Sequence, residues 1–146
     1  MIVIHSSVVV DAPVASVWAD LANIGTHVEW MRDAVAIRVT STGAFGTGST
    51  FDVDTRIGPF RLTDRMLIVE WQPGEAMAVH HKGVVTGDGR FDLDGLEEGG
   101  TRLTWEERLR FPWFFGGFVG ERIAAPMLRA LFRANFRAFA ERHAVR

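Results

Sequence analysis

Cysteine and tyrosine are absent from the 146-residue sequence, and Lys82 is its only lysine. Without cysteine there is no disulfide framework, no thiolate metal site and no thiol nucleophile. Without tyrosine one common general acid is missing. The glycine-bearing stretch 83–89 lacks the lysine and serine of a phosphate loop, and 43–48 reads as a hairpin turn. Neither a Gly-x-Ser-x-Gly elbow nor an HExxH pair occurs. His80 and His81 are adjacent, so on a strand they point to opposite faces and cannot easily share one ion. No metal and no cofactor are expected.

Long apolar runs are missing too, so no stretch reaches the length of a membrane span. The first seven residues lack the basic flank of a signal peptide. A cytoplasmic location is the expectation. The net charge of −2 gives no electrostatic case for nucleic acid. Charge is unevenly placed, however: from Pro112 onward there are six arginines against two glutamates. A solvated arginine face that complements a helix dipole is the expected reading. Contact with an anionic membrane or partner is the less favoured alternative, and the chain is expected as a monomer or homodimer.

What is present is a long helical signal at the C-terminal end. Val119, Ile123, Met127, Leu128, Leu131, Phe132, Phe136 and Phe139 recur three and four apart and predict one broad buried face. Arg129, Arg133 and Arg137 form a second, charged stripe. A helix of about 25 residues would run roughly 37 Å. Pro126 lies within it and predicts a kink, or a short leading helix that ends there.

Ahead of it, residues 2–11 read as a strand, 13–22 as a short helix opened by Pro13, and 26–31 as a second helical piece. From 34 on, apolar and polar residues alternate, and glycine- and proline-bearing turns near 43–48, 58–59, 73–74 and 97–100 separate the strands. The predicted order is strand, two short helices, about six hairpin-linked strands, long helix. Short turns between consecutive strands imply one antiparallel sheet of about seven strands, an α+β domain spanning 1–146.

Glu107 interrupts the apolar face of the last strand, between Leu103, Trp105, Leu109 and Phe111. A carboxylate there either sits near a cavity mouth, pairs with an arginine such as Arg32 or Arg90, or serves as a functional group with a raised pKa. His81 shares a face with Met77 and Val79 and points inward, as a core histidine or a proton-transfer group. Residues 111–118 carry five aromatics and two glycines. Three readings stay open for them: core packing at the helix entry, a lid hinged at Gly116, Gly117 and Gly120, or an exposed interface.

Several stretches resemble the polyketide cyclase/dehydrase group of the START and birch-pollen-allergen-like (SRPBCC) superfamily. Residues 10–18, VDAPVASVW, resemble its "APxxxVW" opening. Residues 27–31, HVEWM, resemble its "YxxW" signature with His27 at the aromatic position, and residues 100–106, GTRLTWE, resemble "GTxLTW". The resemblance covers the whole order of elements. It implies a helix-grip fold, in which a curved antiparallel sheet holds the C-terminal helix around a cavity. Trp30, at a position that borders the cavity in this family, is an expected wall residue, with Phe51, Val53, Met77, Trp105, Phe118, Met127 and Leu131. Two functions remain open: binding or carrying an apolar small molecule (lipid or polyketide-like), or cyclase, dehydratase or aromatase chemistry with Glu107 and His81 as catalytic groups. A ligand-free interaction module is a third alternative.

Overall fold

The computed structural model describes residues 1–144. Seven strands alternate apolar-in and polar-out, which is why they pair into a sheet with one buried face. They are β1 (Ile2–Val10), β2 (Ala34–Val39), β3 (Thr50–Ile57), β4 (Phe60–Gln72), β5 (Ala76–Lys82), β6 (Thr86–Gly95) and β7 (Thr101–Arg110). All neighbours are antiparallel, in the order β1-β7-β6-β5-β4-β3-β2. Only β1 pairs out of sequence, beside β7, with Ile4 opposite Glu107. Register shifts at Ala34/Ala36 and Ile68/Glu70 insert bulges. Bulges bend and twist a strand, and these curve the sheet.

Helix α1 (Val14–Ala22) and a 3₁₀ turn (Ile24–Glu29) link β1 to β2, and α2 (Gly117–Glu141) ends the fold. This is the helix-grip arrangement. Pro13 caps α1 from an extended conformation and is not its first helical residue. The hydroxyl of Thr101 donates to the Ala12 carbonyl at 2.8 Å, tying the start of β7 to the entry of α1.

Helix α2 corrects the expected buried face and excludes a separate leading helix that ends at Pro126. It is continuous through that residue and is preceded by a 3₁₀ turn at Trp113–Phe115. Pro126 is exposed, so the carbonyl it leaves unbonded lies on the solvent side of the helix. The buried stripe is also different: Glu121, Ala125, Leu128, Phe132, Asn135, Phe136 and Phe139. Val119 and Ile123 are exposed, and Met127 is half out. Glu121 is satisfied on this stripe: its carboxylate pairs with the Met1 ammonium and accepts the Phe111 N–H at 2.9 Å. Residues 119, 123 and 127 then fall on another flank.

Candidate functional site

Between the concave face of the sheet and α2 lies a cavity of about 260 Å³. Its walls are apolar: Phe51 and Val53 from β3, Met66 from β4, Met77 and Val79 from β5, Phe91 from β6, Trp105 and Leu109 from β7, and Leu128 and Phe132 from α2. Phe60 and Met127 also line it, yet both are more than half exposed, so the cavity meets the surface between the β3–β4 hairpin and the first half of α2. A dry apolar cavity of about 150 Å³ accepts benzene. This one has room for more than a single ring.

One polar row crosses that apolar wall. His81 on β5 donates Nδ1–H to Asp64 Oδ2 at 2.9 Å and Nε2–H to Glu107 Oε2 at 2.8 Å. Trp105 Nε1–H donates to Glu107 Oε1 at 3.0 Å. Strands β5 and β7 are not neighbours, since β6 runs between them. The His81–Glu107 contact therefore bridges roughly 9.6 Å of sheet, two interstrand spacings. Glycine makes this feasible: Gly87 pairs with His81, and Gly89 pairs with Glu107. A Cβ on Gly89 would overlap the Glu107 carboxylate.

A ring with a carboxylate on each nitrogen is an imidazolium. Burial opposes the charge, but the Glu107 carboxylate and the hydrogen bonds to Asp64 and Glu107 outweigh it and push His81 up to about 10. Asp33, at the mouth of β2, also lines the cavity. Burial raises its pKa, and the charges of Glu107 and Asp64 add to this against a hydrogen bond from Asn135. That Asn135 bond, Nδ2–H to Asp33 Oδ1 at 2.8 Å, and the Arg32 N–H to Asn135 Oδ1 at 3.0 Å pin α2 to the loop before β2. His27 is held neutral: burial lowers it to about 4, and Nε2–H donates to the Leu21 carbonyl at 2.8 Å.

Of the residues singled out from sequence, Glu107, His81, Phe51, Val53, Met77, Trp105 and Met127 line this cavity. Three do not. Trp30 is buried behind the wall, against Phe139 at 5.1 Å and Trp105 at 6.1 Å between ring centroids. Phe118 is 66% exposed with Arg122 over its ring, because it lies on the outer flank of α2. Leu131 packs half-buried on the core away from the cavity. Glu107 pairs with neither Arg32 nor Arg90; Arg90 turns outward to Asp92 and Glu70. Core packing does not describe residues 111–118 either. Phe111 and Phe115 line the cavity, whereas Trp113 is 86% exposed.

Sequence reasoning passed over Asp64, Asp33, Gly89 and Asn135. The signal for Asp64 was present: Leu62, Asp64, Met66 and Ile68 alternate toward the interior of β4, a carboxylate in an apolar series like Glu107. Asn135 likewise sits inside the stripe of Phe132, Phe136 and Phe139. Nothing local marks Gly89, whose role depends on a strand pairing.

No curated protein matches this sequence. Among solved structures, a Thermus thermophilus protein superposes with a TM-score of 0.78 at 13% identity, covering 96% of this chain and 95% of that one. A START superfamily protein from Mycobacterium smegmatis gives 0.73 at 12% identity, with 98% and 97% covered. The Zhui aromatase/cyclase from a Streptomyces species gives 0.69 at 18% identity, with 95% and 88% covered. At these identities the likeness is one of fold. Residues 1–144 match the family described as polyketide cyclase / dehydrase and lipid transport. The gripped helix, the cavity beneath it and that match together show that the chain belongs to this family.

Proposed function

We propose that the protein binds a largely apolar small molecule in the cavity under α2, with the ligand's polar group set against the Asp64–His81–Glu107 row. The observation that carries this reading is the composition of the wall, in which apolar side chains surround one fixed polar cluster. Few polar groups in an apolar enclosure orient a ligand. The same residues argue against proton transfer as the main role. A general acid or base works best with a pKa near the operating pH, whereas His81 is pushed up to about 10. Both oxygens of Glu107 are already engaged. Binding is thus favoured over the cyclase or dehydratase alternative.

The neutral dye 1-aminoanthracene tests this. Saturable, one-to-one fluorescence enhancement is expected with the wild-type protein. Ala124→Phe, which places a ring at a lining position, should abolish it while the far-UV circular dichroism stays unchanged. Equal uptake by both proteins would place the dye elsewhere and refute the reading.

A further inference from the structure

The cavity floor carries an excess of acceptors. Asp64 and Glu107 flank a single imidazolium, and Asp33 adds a third carboxyl group to the lining. Every N–H of His81 is committed, as is the indole N–H of Trp105. Arg90, the one arginine in the lining, directs its guanidinium outward onto Asp92 and Glu70. The indole N–H of Trp30 has no partner, but Trp30 lies behind the wall. Among the described residues the cavity therefore offers no uncommitted cation. One acceptor, by contrast, is unpaired: Asp64 lines the cavity, and its Oδ1 is shielded from solvent and finds no hydrogen-bond partner among the described residues. Leaving such an atom unsatisfied is unfavourable, a cost that an incoming donor removes.

We infer that this site selects ligands by charge: it takes apolar molecules that present a hydroxyl or ammonium donor to Asp64, and it rejects carboxylates. The inference rests on the proposed binding function and narrows its ligand class. A carboxylate ligand entering the cavity meets two flanking carboxylates at short range with only one shared positive charge between them. Coulomb repulsion in a poorly solvated enclosure is stronger than in water, and beyond the neutral Thr55 hydroxyl no lining side chain among the described residues has a free donor to offset the lost hydration of the anion. A hydroxyl meets none of these penalties and completes the hydrogen bonding of Asp64. An ammonium does the same and adds attraction.

Four probes with one two-ring frame separate the possibilities: naphthalene, 2-naphthol, 2-(aminomethyl)naphthalene and 2-naphthoate, titrated at pH 7 by calorimetry. The hydroxyl and ammonium probes should each bind at least about ten-fold more tightly than 2-naphthoate, a difference of about 1.4 kcal/mol. Naphthalene should fall below both donors. Asp64→Asn keeps an acceptor for His81 while removing one negative charge, and should shrink the gap between naphthol and naphthoate several-fold. If naphthoate matches or exceeds naphthol, or naphthalene equals it, charge selection is wrong while the cavity still binds. If none of the four binds, the binding function itself fails. The wild-type series decides the matter even if Asp64→Asn does not fold.

Discussion

From Leu128 to Phe139, α2 sends Leu128, Phe132, Phe136 and Phe139 into the sheet; from Gly117 to Met127 it leaves Phe118, Val119 and Ile123 facing out, with Met127 at the cavity mouth. The inward positions of the first half are instead Glu121, Ala124 and Ala125. This difference explains why a cavity exists. Phenylalanines fill the space at one end, where Phe91, Trp105, Phe132 and Phe136 stack at centroid separations of 4.5–5.9 Å. At the other end Ala124 lines the cavity with only a methyl group and leaves the space open. One helix thus holds the fold with its second half and roofs a site with its first.

The packed end should be the costlier one to disturb. Phe136→Ala removes a side chain that is 1% exposed and should destabilise by about 3–5 kcal/mol, read as a lower denaturant midpoint with unchanged slope. A loss below about 1 kcal/mol, the size of an ordinary substitution, would mean that the two ends are not different in packing.

The polar row comes next, and its effect depends on pH. His81 has a folded pKa of about 10, above its ordinary value of 6.5. A raised pKa means that the folded state holds the proton more tightly, so this contribution is complete below about 6.5 and fades as pH rises toward 10. Both ring nitrogens should therefore show protonated ¹⁵N shifts at about pH 8, where a free histidine is neutral. A neutral ring under those conditions would remove the imidazolium from the account.

Gly89→Ala should be smaller. The new methyl group pushes on the Glu107 carboxylate, and such overpacking costs about 1–3 kcal/mol. The variant should also bind the neutral probe more weakly. Smallest of all is Trp113→Ser, because the ring is 86% exposed. Its stability should stay within about 0.5 kcal/mol of wild type. A larger loss would restore the core-packing interpretation of residues 111–118.

Much of this fold was legible because its rules are local. Strand alternation and turn chemistry located all seven strands, and the strand-like surroundings of Glu107 and His81 turned both inward. The site was harder to read for a physical reason. Hydrophobic period marks which residues of a helix are apolar, but Val119, Ile123 and Met127 continue that period while Glu121 takes the inward phase. The partner that satisfies the buried Glu121 is Met1, at the far end of the sequence. Gly89 and Asp64 gain their roles only when β4 to β7 lie side by side, so no single stretch announces the row they build. The aromatic segment 111–118 divides between two environments, a division that composition alone does not reveal.

The most direct test of the account uses the methionines. Met31, Met66, Met77 and Met127 all line the cavity, whereas Met1 is exposed and outside it. With ¹³C-labelled methionine methyl groups, each residue reports by its own NMR resonance. Titration with 2-naphthol should shift the resonances of Met31, Met66 and Met77 strongly, that of Met127 at the mouth to a lesser degree, and leave that of Met1 in place. Shifts confined to Met127 and Met1, with Met66 and Met77 unmoved, would show that the ligand stays on the surface and would contradict a binding site under α2.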